Sequence, residues 1–370
     1  MKRKGFSIGV YADPIFEKRT GVGNYIFNLC KALFKILPEA QFFLVCQKAP
    51  KEIPFPNKEN LSIVVERESK LKVFPRTLWF RFFSSRLFEN LKVQVFWSGL
   101  PIIPRGLRGI RKVLTVHDLN YYIVPETMKL RTRLSYRFFF RKSLLEADSI
   151  VSVSQGTAER LNKLFKIKVD AVVHPGIDPN IFKPLDKRNV RDFLQRKGLK
   201  FNYIFSVSTL EPRKNLNSLI DAFLELKAEG KLRRYKLVLA GDRGWKSSNV
   251  KRKLRRFSSE IVYLGYVPER ELPFLYNGAS LFILPSIYEG FGMPAQEARA
   301  CGCCVMVSDI PELHESAGPG AIYVKPTKEG LKEALSLFEK GKLSCDKKRL
   351  REGLFLWEEE AKKLAEVLIK

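Results

Sequence analysis

The chain has 370 residues, 45% of them hydrophobic, and a formal net charge of +27. That length exceeds one ordinary core and suits two domains of roughly 150–200 residues, while the composition excludes a collagen, a disulfide scaffold and a disordered tail. No apolar run reaches the roughly 18 residues of a membrane span.

The start, MKRKGFSIGVYADP, is basic and then apolar, as a signal peptide would be. The apolar part stops at Asp13 and no small-residue cleavage site follows, so it reads as a first buried strand. The expected location is therefore the cytoplasm. TGVGNY, Thr20 to Tyr25, follows that strand and opens a helix, GNYIFNLCKALFKIL. Gly21 and Gly23 there allow close backbone approach to a ligand, although glycine turns before helices are common and the full dinucleotide spacing is missing. QFFLVCQ and QVFWSG read as further strands. Between residues 67 and 142 stand 17 Lys/Arg against four Asp/Glu, so the positive charge is concentrated in the first half. Nucleic acid, an anionic membrane or an anionic substrate would each explain it, as would a plain cationic surface. No nucleic-acid-binding signature accompanies it. VFPRTLWFRFFSSRLF, Val73 to Phe88, interleaves Arg76, Arg81 and Arg86 with aromatic residues, but at five-residue steps that form no clean helical face.

RKVLTVHD places His117 and Asp118 just after an apolar strand, where they could be a base with its orienter or a satisfied structural pair. The chain has three histidines, the others being His174 and His314. The helix RLSYRFFFRKSLLEA and the strands DSIVSVS and VDAVVHPG complete the first series. GIDPNIFKPLDKRNV, rich in proline and charge, is the expected join.

The alternation then restarts with strands FNYIFSVS, YKLVLAGD, IVYLGYV, SLFILPS and CVMVSD and helices NLNSLIDAFLELKAEG, ERELPFLYNGA and PAQEARAC. Two such series predict an α/β fold of two doubly wound parallel sheets, with ligands beyond the carboxyl ends of the strands and in a cleft between the domains. The expected division is 1–178, 179–345, and a terminal helix over 346–370 that could cross back to the first domain.

Two strand-end loops carry charge. STLEPRKNL offers Arg213 and Lys214, adjacent cations suited to a diphosphate. In EGFGMPAQE, Gly290 and Gly292 flank Phe291 and bring the backbone near a ligand, and free N–H groups at the following helix start suit a phosphate. Glu297, read as first-turn, could grip a ribose diol or simply complement the helix dipole. Glu289 lies across the loop. The six cysteines, three of them in CGCC, lack zinc spacing, so they are expected to be buried, reduced thiols with no metal site. No Asp-x-Asp occurs, so a departing diphosphate would be stabilised by protein cations and amides.

EGFGMPAQEARACG, STLEPRKNL, TGVGNY, VHDL and VVHPGIDPNIFKP together resemble the retaining glycosyltransferases of family 4, in order along nearly the whole chain. The resemblance is nearest to bacterial mannosyltransferases of surface-polysaccharide assembly. It implies the GT-B fold of two Rossmann-like domains. It also implies transfer of a sugar, with retention, from a nucleotide donor to an acceptor hydroxyl. Glu289 would lie by the donor sugar and Glu297 would hold the ribose. Gly290, Phe291 and Gly292 would meet phosphate or sugar, Arg213 and Lys214 would neutralise the diphosphate, Gly21 would approach it, and His117 would line the reaction centre. No cofactor is implied beyond the donor, GDP-mannose first and a UDP-sugar second. The implied acceptor is a glycan or lipid-linked saccharide, with peripheral contact to an anionic inner membrane face and no nucleic acid. Ser208 stands where the family often has glycine, Cys303-Cys304 where Thr-Pro is common, and Gln296 where leucine is frequent. The alternatives are a glycoside phosphorylase or other GT-B enzyme and, further off, a basic nucleic-acid-binding protein.

Overall fold

A computed structural model describes residues 5–16, 21–55, 59–73, 75–128 and 130–370. Of the stretches quoted above, Met1–Lys4, Thr20 and Phe74 lie outside the described residues. The chain divides into two units, one of Met1–Leu119, Arg131–Gly176 and Phe355–Lys370, the other of Asn120–Leu130 and Ile177–Leu354.

The first unit is built on β1 (Ser7–Tyr11), β2 (Gln41–Cys46), β3 (Leu61–Val65), β4 (Val95–Ser98), β5 (Arg111–Val116), β6 (Ser149–Ser152) and β7 (Ala171–Val172). They form one parallel sheet in the order β3-β2-β1-β4-β5-β6-β7, with Ile8 opposite both Phe42 and Val95. Every residue of β1 and β4 is buried, the near-continuous apolar run of strands covered on both faces. Helix α1 (Gly21–Ile36) follows β1 and buries Tyr25, Ile26, Leu29 and Leu33 along one stripe.

Val73 to Phe88 is not one helix but two, α2 (Arg76–Phe82) and α3 (Ser85–Asn90). Trp79, Phe80 and Phe88 are core. Arg81 is only 2% exposed and forks onto Glu146 at 2.6 and 2.8 Å while also bonding the Ile103 carbonyl. Arg86 pairs with Glu66 at 2.8 Å and with Glu68. Two of the three arginines thus serve ion pairs inside the unit. Val73 and Phe82 of this stretch are exposed, and further exposed apolar residues stand on α4 (Leu130–Glu146), where Leu134, Phe138 and Leu145 are 57%, 56% and 80% exposed.

The second unit carries β8 (Asn202–Val207), β9 (Tyr235–Ala240), β10 (Ile261–Tyr263), β11 (Leu281–Leu284), β12 (Val305–Ser308) and β13 (Ile322–Val324), all parallel, in the order β10-β9-β8-β11-β12-β13. Helices α5 (Leu272–Gly278) and α6 (Met293–Ala300) flank β11 in sequence. The final helix, α7 (Trp357–Ile369), belongs to the first unit and packs on α1. A side chain at Gly176 would run into the Trp357 backbone. The His174 N–H donates to Glu360 at 2.7 Å, and Phe355 stacks on the His174 ring at 3.8 Å.

The cysteines correct the sequence reading in part. Cys30, Cys46, Cys301 and Cys303 are free and buried, but Cys304 and Cys345 form a disulfide across 41 residues. It ties the start of β12 to the loop near 345, a pairing that no local spacing announces. Among the described residues no helix is long and apolar enough to cross a membrane.

Strand order reverses once in each sheet, between β1 and β4 in the first unit and between β8 and β11 in the second. In open parallel sheets such a reversal is where ligands bind, in the crevice beyond the carboxyl ends of the two strands.

Candidate active site

The crevice of the second unit is lined by the loops that leave β8 and β11. The first turns through a single 3-10 turn, Pro212–Lys214, and Asn215 takes a left-handed φ of 56° before the next helix. The second runs to Gly292, whose φ of 92° starts α6. A side chain at Gly292 would both strain the backbone and meet Leu313, so glycine is required there. The Ile287 N–H donates to the Arg213 carbonyl at 2.8 Å and locks the two loops together.

Glu289 is the centre of this arrangement. Its Oε1 lies 2.6 Å from Lys214 Nζ and accepts from Ser286 Oγ at 2.6 Å, and its Oε2 accepts from Arg213 Nη1 at 2.8 Å. Arg213 is gripped further by Glu211, through Nη2 at 2.8 Å and Nε at 3.2 Å, and by the Tyr288 carbonyl at 2.9 Å. Burial by itself would raise the Glu289 carboxyl, but Lys214 and Arg213 outweigh it and hold the group at about 2. Glu289 is therefore an anion at any physiological pH and a poor proton acceptor. What it does is fix the direction of two cations.

Glu297 lies in the second turn of α6, not the first, so dipole complementarity does not account for it. It is buried, and Tyr276 of α5 donates to its Oε2 at 2.7 Å. Burial pushes its carboxyl up to about 7, against the Tyr276 hydrogen bond and with some help from the charge of Glu269. Phe291 is buried beside the α6 start.

His117 and Gly21 belong to the first unit. His117 follows β5, and its Nε2 lies 2.7 Å from the Gly99 carbonyl. A carbonyl only accepts, so Nε2 carries the hydrogen and Nδ1 is left as an acceptor. Desolvation lowers the His117 pKa, against the Gly99 bond and Asp118, and the ring is neutral at pH 7. The Gly99 carbonyl thus sets the orientation that the sequence reading gave to Asp118. The edge of Tyr25 packs against the ring at 4.9 Å. Gly21 is the first residue of α1, and nothing lies within 4 Å of where a Cβ would be.

The structure brings Arg213, Lys214 and Glu289 into one network and sets Glu297 on the helix that their loop starts. Sequence reasoning missed Glu211, Ser286 and Tyr276. The first two sit within three residues of chosen ones, whereas nothing in the local pattern marks Tyr276. Chemically, two oriented cations, balanced by Glu211 and Glu289, and the N–H groups of a glycine-started helix are of the kind that suit an anion. A buried acid with a pKa near 7 offers hydroxyl recognition.

The two halves match two family models, one described as Glycosyltransferase Family 4 over residues 19–181 and one as Glycosyl transferases group 1 over 189–353. O-antigen chain mannosyltransferase B of Escherichia coli is 30% identical, over 85% of each chain. O-antigen chain mannosyltransferase RfbU of Salmonella typhimurium is 28% identical over 59% of this chain and 58% of its own. Among solved structures, the sucrose-phosphate synthase of Thermosynechococcus elongatus has a TM-score of 0.75 at 18% identity, covering 99% of this chain and 98% of its own. Anabaena Alr3699/HepE, solved in complex with UDP and glucose, has a TM-score of 0.73 at 16% identity and covers 99% of both.

Proposed function

Since the chain belongs to the GT-B glycosyltransferases of polysaccharide biosynthesis, its halves matching the family 4 and group 1 models, we propose that it transfers mannose from GDP-mannose to a saccharide hydroxyl with retention of configuration. The observation that carries this reading is the Glu289 network, which holds Arg213 and Lys214 at the β8/β11 crevice where a diphosphate would leave. The two cations and the amides of Gly290, Phe291 and Gly292 take the developing charge. Glu297 holds the ribose diol. Glu289, kept ionised, aligns the cations and faces the sugar. With no strong base among these groups, the departing phosphate itself takes the acceptor proton. Within the first unit, taken by itself, Gly21 offers close backbone approach to a ligand and His117 offers Nδ1 to a hydroxyl. The names of the O-antigen relatives, both mannosyltransferases, support the choice of a mannosyl donor.

Thermal shift against GDP-, UDP-, dTDP- and ADP-sugars tests the donor. A ligand at about 100 times its Kd adds ~2.7 kcal/mol, which raises Tm by roughly 5 °C or more. A selective rise with GDP-mannose is expected. A rise with another base corrects the donor, and no rise with any overturns the reading. The anomeric configuration of the product, read by NMR, tests retention.

Glu297 gives a signed pH dependence. Hydroxyl donors favour its charged form, which at a pKa of about 7 is scarce below neutrality. The KM for GDP-mannose should fall roughly tenfold from pH 6 to pH 8, with proton release on binding. Glu297→Gln should raise KM, leave kcat near normal and flatten that slope. A normal KM with lost kcat would reassign the residue.

The membrane contact of the proposal rests on α4. Leu134, Phe138 and Leu145, at i, i+4 and i+11, share one exposed stripe, and Arg137, Arg141 and Lys142 lie on the same helix. Each cation near an anionic leaflet contributes about 1 kcal/mol, and the apolar stripe adds interfacial burial. Co-sedimentation with anionic liposomes, weakened by salt and by Phe138→Glu, is the expected result. Equal binding to neutral liposomes, or none to either, would reduce the charge to surface composition.

A further inference from the structure

The sheet of the second unit has two ends, and the donor site proposed above uses only the carboxyl end. At the amino end lies a cavity of about 1100 Å³. Asn202 at the start of β8, Ser280 just before β11 and Cys304 just before β12 all line it. β8 has six residues, so at about 3.3 Å per residue the two ends stand roughly 17 Å apart.

The helix Lys187–Arg196 forms one wall. Its lining residues Lys187, Val190, Arg191, Leu194 and Gln195 fall at i, i+3, i+4, i+7 and i+8, a single helical face. Lys200 and Lys347 add two cations from other segments, and among the described residues lining the cavity there is no acid. All four cations are exposed, and none has an ion pair or a side-chain hydrogen bond among the described residues. Other lysines of this unit are paired. Lys197, on another face of the same helix, meets Glu271 at 2.7 Å, and Lys227, Lys253 and Lys332 meet Glu260, Asp221 and Glu225. The acids beside Lys187 and Lys347 turn to the backbone. Asp186 caps the helix through the Arg188 and Asn189 N–H groups, and Asp346 accepts from the Lys348 N–H at 3.0 Å. Lys187 opens its helix, where the dipole disfavours positive charge.

Unneutralised cations around one concave site concentrate anions there. Arginine and lysine together favour phosphate, the first by forked hydrogen bonds and the second as a point charge. Four such charges exceed what one phosphate pairs, and a concave site at the upper limit of small-molecule pockets suits a small ligand better than a polymer. We infer that this cavity is a second anion site, separate from the donor crevice, for a small molecule that carries several phosphate groups. It is open to a ligand while a nucleotide occupies the other end of the sheet.

Calorimetric titration of inorganic tripolyphosphate into the full chain, with GDP filling the β8/β11 crevice, tests it. One equivalent should bind. Lys187→Ala/Arg191→Ala should weaken it at least about tenfold, the loss of charge-assisted hydrogen bonds. Both residues are exposed on a helix, where alanine is the best helix former, so this variant should fold. Arg255→Ala/Arg256→Ala, an equal loss of charge at exposed positions of the same unit, should change binding less than about twofold. ATP run in parallel gives the source of the phosphates: tighter binding than tripolyphosphate assigns a nucleotide, weaker binding an inorganic polyphosphate, and both bear the inference out. If GDP does not bind, the donor reading fails by itself, and Arg213→Ala/Lys214→Ala without GDP takes its place in the titration. No tripolyphosphate bound, or an equal loss in the two cavity and control variants, would overturn the inference. Uptake of an RNA oligonucleotide through Lys187 and Arg191 without uptake of tripolyphosphate would overturn it in favour of a polymer.

Discussion

Lys214→Ala should lower turnover by roughly 10²–10³-fold, the usual loss when one oriented donor to a developing anion is removed. Donor affinity should fall with it, because the diphosphate is already charged in the ground state. The geometry sharpens the expectation. Lys214 Nζ is fixed 2.6 Å from Glu289 and is mostly buried, so its charge is held in one place rather than spread over many rotamers. The variant should still fold, since Glu289 keeps Arg213 and Ser286 as partners. Steady-state kinetics with GDP-mannose measure the effect, and wild-type kinetics in this variant would remove Lys214 from the mechanism.

Glu289→Gln should lower kcat by about 10²-fold while GDP affinity changes by less than about tenfold. A neutral amide cannot hold two cations, but they are not equally dependent on it. Arg213 keeps Glu211 and the Tyr288 carbonyl, whereas Lys214 loses its ion pair. The diphosphate then retains one well-placed cation, and the sugar loses the acid beside it. Calorimetry with GDP separates the two effects. An affinity loss as large as the kcat loss would mean that Glu289 acts only through the diphosphate. Because Glu289 is held near 2, well below the ordinary carboxylate value, its pairing stabilises the fold above that ordinary value. The contribution fades only as pH falls toward 2, so Glu289→Gln should lose stability at neutral pH.

Most strands were legible because parallel strands buried on both faces are short apolar runs, as in β1, β4 and β11. β3 and β13 were missed for physical reasons. Both are sheet edges; β3 is nowhere fully buried, and β13 has three residues. The charged loop residues were legible because they follow strands. Their partners were not: Ser286–Glu289 and Glu211–Arg213 are contacts within a single loop, but sequence spacing in an irregular segment does not say which side chains its turns bring together. Tyr276 reaches Glu297 from another helix. The aromatic and arginine-rich stretch from Val73 misled because composition does not say which arginines are satisfied inside. Arg81 is, through Glu146, and the partly exposed Arg86 is paired with Glu66, both partners from distant sequence.

The central claim is that Arg213 and Lys214, aimed by Glu289, hold a nucleoside diphosphate. Calorimetric titration of GDP and GMP into the wild-type protein and into the Arg213→Ala/Lys214→Ala double variant tests it most directly. The wild type should bind GDP well over tenfold more tightly than GMP, and the double variant should lose that preference while still binding the nucleoside through Glu297. An equal GDP preference in both proteins would contradict the account.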